Sequence, residues 1–140
     1  MEQYNKAEDY YLHALSVYRQ ISQGADSEDI ADTLNTLAIN YQHMEQYNKA
    51  EDYYLQALTV YRQISQGADS VDIADTLYNL GYNYAAAGDN IKSREVWRQA
   101  LDIYMRLDPQ NPIIEKLDYQ LHLSKGNYIT KSKNQCCTLV

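Results

Sequence analysis

MEQYNKAEDYYLHALSVYRQISQGADSEDIADTLNTLAINYQH, residues 1–43, starts again at Met44 as MEQYNKAEDYYLQALTVYRQISQGADSVDIADTLYNLGYNYAA, residues 44–86. The period is 43 residues, and only nine paired positions differ: His13/Gln56, Ser16/Thr59, Glu28/Val71, Asn35/Tyr78, Thr36/Asn79, Ala38/Gly81, Ile39/Tyr82, Gln42/Ala85 and His43/Ala86. Self-similarity at such a period marks an array whose units bury their apolar faces by stacking on neighbours, so the copied unit decides the fold.

Within the unit, Ala7, Tyr11, Ala14, Leu15 and Tyr18 recur at i, i+4, i+7, i+8 and i+11, one apolar stripe of an amphipathic helix over about residues 4–20. Gly24 can take the left-handed conformation that ends this helix, and Asp26 or Ser27 can cap the next. Leu34, Leu37, Ala38 and Tyr41 form the stripe of a second helix over 28–43. Only the short polar stretch 44–46 separates it from the following helix, which forces the two to run antiparallel as a hairpin. Further helices are predicted over about 47–63, 71–87 and 90–106. The connector then changes to Asp108-Pro109-Gln110-Asn111-Pro112, where Asn111 as cap and Pro112 as first helical residue open a last helix to about Ser124 with Ile114, Leu117 and Leu121 inward. From Lys125 the composition is Gly, Asn, Ser, Thr and Lys without periodicity, and a flexible tail over 125–140 is expected.

The chain has 140 residues, 45% of them hydrophobic, and a net charge of −7, which argues against a nucleic-acid partner because phosphate affinity comes from clustered Lys and Arg. Fifteen Tyr and no Phe mean that buried rings carry hydroxyls needing acceptors or water, as suits thin helical layers. No run of about 18 apolar residues could span a bilayer, and the polar, acidic N-terminus carries no secretory signal, so the cytoplasm is the expected compartment. His13, His43 and His122 fall on different units without HExxH spacing, and no Gly-rich loop or nucleophile context occurs. No enzymatic activity, metal or cofactor is therefore expected. The Asp and Glu residues, Glu8/Glu51 and Asp9/Asp52 among them, read as solvated helix faces.

Leu77-x2-Leu80-Gly81-x2-Tyr84, then Gly88-Asp89, then Ser93-x3-Trp97-x2-Ala100 resembles the tetratricopeptide repeat, whose pattern is W-x2-L-G-x2-Y…A-x3-F…P. The preceding unit matches as Leu34-x2-Leu37-Ala38-x2-Tyr41 with Ala50-x3-Tyr54-x2-Ala57, and the first segment supplies only the second half, Ala7-x3-Tyr11-x2-Ala14. The period exceeds the family's usual 34 residues and is similar to the long-repeat subclass of kinesin light chains. The resemblance implies an all-α fold, a right-handed superhelical α-solenoid of antiparallel helix hairpins. Its parts would be a half repeat over 1–26, repeats over 27–69 and 70–107, and a terminal helix over 111–124. The chain then begins on the second helix of a hairpin, and Tyr11, Leu15 and Tyr18 lack their usual first helix. Two readings stand: a fragment of a longer protein, or an edge through which the chain self-associates.

The resemblance also implies a function, binding of a peptide or protein segment in a concave groove lined by the first helices. The groove positions carried across are Asp32, Asn35, Ile39, Gln42 and His43, then Asp75, Tyr78, Asn79, Tyr82, Ala85 and Ala86. Asn79 matches a position that often holds a peptide backbone, because an amide both donates and accepts; its alternative is a solvated surface amide. The Lys and Arg of chaperone-tail receptors are missing, and an apolar or basic peptide suits the groove better. Tyr82→Ala would weaken partner binding with little loss of folding. The six differences from Asn35/Tyr78 to His43/Ala86 all fall on the first helix, which reads as a kept scaffold under a changed binding face. A different neighbour at residues 112–124 would account for them equally.

At the C-terminus, Cys137-Thr138-Leu139-Val140 fits the C-a-a-X prenylation frame, with Cys136 as a palmitoylation candidate and Lys125, Lys131 and Lys133 upstream. A prenyl chain with a second chain or a basic patch would give stable anchoring, making the protein an adaptor that brings its partner to a membrane. Val as last residue and Thr in the frame count against this, and two free thiols are the alternative.

Overall fold

In the computed structural model, residues 1–123 are described, so Cys136, Cys137 and the 125–140 tail lie outside the described residues. Six helices follow one another: α1 Glu2–Ile21, α2 Glu28–His43, α3 Tyr47–Ile64, α4 Val71–Ala86, α5 Asn90–Leu107 and α6 Ile113–Leu123. No strand occurs among the described residues. No helix there is long and apolar enough to cross a membrane.

The boundaries have local causes. Ser27 Oγ accepts from Ile30 N at 3.3 Å and Ser70 Oγ from Ile73 N at 3.2 Å, so the serine caps α2 and its copy caps α4. Gly24 and Gly67 stand at φ +82° and +84° after α1 and α3, the left-handed geometry that glycine enters without steric cost. Asn111 Oδ1 accepts from Ile113 N at 3.0 Å, and the last helix begins directly after Pro112.

α2 with α3 and α4 with α5 form tightly packed hairpins, and α1 and α6 cover the two ends. Among the described residues α2 touches α4, whereas α1 does not touch α3 and α3 does not touch α5. α2 and α4 thus lie closer together than α1 and α3 or α3 and α5, which puts α2 and α4 on the inner side of the stack at this point. Leu34, Leu37, Ala38, Ala50, Tyr54, Ala57 and Leu58 of the first hairpin are buried, as are Leu77, Leu80, Trp97, Ala100, Ile103 and Tyr104 of the second. Small residues at Ala38, Ala50 and Ser93 let the helices approach, and rings fill the gaps beside them.

The same polar contacts recur at the repeat period. Asn40 Nδ2 donates to Tyr4 O and Asn83 Nδ2 to Tyr47 O, each at 3.0 Å, and both amides are buried. Tyr41 Oη donates to Glu8 Oε1 at 2.6 Å, as Tyr84 Oη does to Glu51 Oε1 at 2.9 Å. Tyr61 Oη donates to Asp32 and Tyr104 Oη to Asp75. Glu8 and Glu51 are therefore not simply solvated, as the sequence suggests, but hold the next unit's tyrosine; the pairs are 33 residues apart, beyond the reach of helical spacing.

Candidate functional site

The inner face of α2 and α4 carries the positions that the repeat pattern assigns to a groove. Tyr78 and Tyr82 lie one turn apart on α4, half-buried, with ring centroids 5.0 Å apart in an edge-on arrangement and hydroxyls 3.4 Å apart. Tyr82 in turn lies edge-on to Trp97 of α5 at 5.1 Å, and Trp97 Nε1 donates to Tyr78 O at 3.1 Å. Burial pushes the Tyr78 phenol well above its ordinary value, and the Tyr82 hydroxyl adds to the shift. Asn79 is half-buried beside them. On α2, Asn35 is half-buried and its carboxamide oxygen has no partner among the described residues.

The remaining candidates are drawn elsewhere. Asp32 and Asp75 accept from Tyr61 and Tyr104, and Gln42 Oε1 accepts from Tyr54 Oη at 2.8 Å, so these three side chains fasten first helix to second. His43 stacks on Tyr4 of α1 at 5.7 Å, and with Ile39 it lines a hollow of about 290 Å³ at the N-terminal edge. Ala86 borders a hollow of about 500 Å³ with residues 45–49. Ala85 borders another, about 470 Å³, with Asn90, Ile91, Ser93, Arg94, Trp97 and Gln120. The eleven positions do not converge on one hollow; Tyr78, Asn79 and Tyr82 are the compact group.

Trp97 explains much of the difference between the copies. It stands 43 residues after Tyr54, beyond the duplicated stretch. A Cβ on Gly81 would meet its indole at 2.1–2.7 Å, so glycine is required opposite the larger ring, where Ala38 suffices opposite tyrosine. Trp97 has no hydroxyl, which removes the need for an acceptor at Ala85 where Tyr54 needs Gln42. Its indole N–H is satisfied by the Tyr78 carbonyl, and Tyr82 packs on its face. Ala38/Gly81, Ile39/Tyr82 and Gln42/Ala85 therefore follow from the packing of α5, and Tyr82→Ala carries a folding cost that the sequence does not reveal. No group of three His, Cys, Asp or Glu side chains among the described residues could hold a metal ion.

Among the described residues, six helices stacked as repeating hairpins define an all-α helical-repeat solenoid. A tetratricopeptide-repeat family model matches residues 1–63, and residues 44–86 copy residues 1–43, so the same repeat continues through α4. Residues 1–63 and the copied stretch that follows them thus resemble the tetratricopeptide repeat, at a long period of 43 residues. A search of curated proteins gives no significant match. Among solved structures it is similar to BtubC (BKLC) from P. vanneervenii, with 24% identity and a TM-score of 0.76, over 86% of this chain and 48% of that one. The chain thus spans about half the length of that relative, and the likeness concerns the fold. Repeats of this family generally mediate protein–protein interaction.

Proposed function

We propose that the protein is a non-enzymatic interaction scaffold that binds an apolar or basic peptide segment along the inner face of α2 and α4. The observation that carries this reading is the half-buried pair Tyr78 and Tyr82 beside Asn79 on that face. Aromatic rings offer large contact area at low entropic cost, and an adjacent amide pairs with an extended backbone without reading side chains. A net charge of −7 favours basic over acidic segments through encounter and complementarity.

Panning a displayed library of random peptides on the full chain tests this. Enriched sequences should combine apolar side chains with Lys or Arg. Their affinity should fall by about tenfold in a Tyr78→Asn, Tyr82→Ile variant, which installs the residues of the first unit and truncates an interface centre. Enrichment of acidic sequences, or affinities indifferent to both changes, would contradict the proposal.

A further inference from the structure

The hollow of about 470 Å³ where α5 meets α6 and the end of α4 carries groups that the copied units lack at the same place. Its walls include Asn90, Ser93, Arg94 and Trp97 of α5 and Gln120 of α6. At the 43-residue period Ser93 stands where Ala7 and Ala50 stand, and Arg94 where Glu8 and Glu51 stand. Those two glutamates accept from Tyr41 and Tyr84. The third unit thus replaces an acceptor by a cation and sets a hydroxyl beside it.

Neither new group is satisfied within the described fold. Ser93 is 1% exposed and its Oγ has no partner there; Arg94 is half-buried, and its buried Nε has none either. Lys6, Lys92 and Arg106 each face a carboxylate at 2.6–4.0 Å, whereas Arg94 forms no ion pair among the described residues. Asp89 is taken up by the backbone N–H of Lys92 at 3.0 Å and by its ammonium at 3.8 Å. Glu95, one residue on, lies off the Arg94 face of the helix. Residues 125–140 contain three Lys and no Asp or Glu, so that segment brings no carboxylate side chain either. Buried N–H and O–H groups are nearly always paired, which points to an acceptor from outside the chain.

We infer that this hollow binds a small carboxylic acid with an apolar body. A carboxylate offers only acceptors and meets the planar fork of a guanidinium with two bonds at once. The Ser93 hydroxyl and the amides of Asn90 and Gln120 are further donors on the walls. The indole of Trp97 gives an apolar surface for the ring or chain of the acid. A single cation suits a monoanion rather than phosphate, because Lys92 is already held by Glu51 and Asp89. The site lies off the Tyr78 and Tyr82 pair and does not rest on the peptide reading.

Trp97 is the only tryptophan, so its indole N–H gives a single magnetic-resonance signal from the wall of the hollow. The test titrates phenylacetate into the isotope-labelled full chain at constant pH and ionic strength, with phenylacetamide and inorganic phosphate as comparisons. Phenylacetate should shift the indole signal saturably with a Kd of about 1 mM or tighter, and the neutral amide of the same shape should bind about tenfold more weakly. Arg94→Gln and Arg94→Glu should each weaken phenylacetate about tenfold, and Arg94→Lys should recover part of the loss. Ser93→Ala, which installs the residue of the copies, should weaken it about threefold. Arg98→Gln, an exposed charge on the same helix, should change nothing. The backbone amide spectrum of each variant reports whether the fold is kept. No saturable shift, a response to phenylacetamide or phosphate equal to that of phenylacetate, or indifference to both Arg94→Gln and Arg94→Glu would each overturn the inference.

Discussion

Tyr54→Ala is expected to lower stability by about 3–5 kcal/mol, whereas Tyr11→Ala, the same change at the matching position of the copy, should cost less than about 2 kcal/mol. Tyr54 is fully buried, and its hydroxyl donates to Gln42 Oε1 of α2 at 2.8 Å. Truncation removes a large apolar area, leaves a cavity in a layer that other residues already fill, and strips the amide of its partner. Because a stacked array is held by neighbour contacts, the loss falls on the junction between both hairpins. Tyr11 has nearly the same sequence surroundings but is only partly buried and borders the hollow at the α1 edge. Urea unfolding followed by helical circular dichroism separates the two, and equal losses would show that the α1 edge is as well packed as the α3 layer.

Alkali should unfold the protein over a narrow range starting near pH 10. Burial raises the phenol pKa of Tyr41, Tyr54, Tyr61, Tyr78, Tyr84 and Tyr104 above the ordinary value. Hydrogen bonds to the carboxylates of Glu8, Asp32, Glu51 and Asp75, and their negative charge, push Tyr41, Tyr61, Tyr84 and Tyr104 further in the same direction. A phenol is neutral when protonated, so a raised folded pKa means that the native state holds the proton longer. The stabilisation is complete below the unfolded value of about 10 and drains away above it, by about 1.4 kcal/mol per pH unit for each tyrosine that ionises only on unfolding. The tyrosinate absorbance of these six groups should appear only together with loss of helicity. Ionisation of all fifteen tyrosines with the helices intact would contradict this.

The helices were legible because apolar spacing, Ser27 and Gly24 signal their faces and ends locally. The hairpin order followed from the three-residue link at 44–46, which leaves no other way to turn. What the sequence concealed lies across the repeat period. Tyr41 finds Glu8 33 residues earlier, and nothing in the helical pattern of either residue marks the pair; only its recurrence as Tyr84 with Glu51 could have exposed it. Asp32 and Asp75 read as a groove rim, yet each accepts a hydrogen bond from a tyrosine 29 residues on. Three differences between the copies, Ala38/Gly81, Ile39/Tyr82 and Gln42/Ala85, answer to Trp97, which lies outside the duplicated stretch. Setting Tyr11, Tyr54 and Trp97 in register at the 43-residue period is the signal that would have found it. The candidate surface narrows accordingly from eleven positions to the neighbourhood of Tyr78, Asn79 and Tyr82.

The claim that first-helix residues are chosen by the ring they meet on the second helix is tested most directly by a double-mutant cycle. Gly81→Ala is measured by urea unfolding in the native chain and in a chain carrying Trp97→Tyr with Ala85→Gln, which recreates the pairing of Tyr54 with Gln42. In the native chain the added methyl meets the indole and should cost about 1–3 kcal/mol. In the altered background the cost should vanish or turn into a gain of up to about 1 kcal/mol, because alanine is the better helix former. The same cost in both backgrounds would contradict the account.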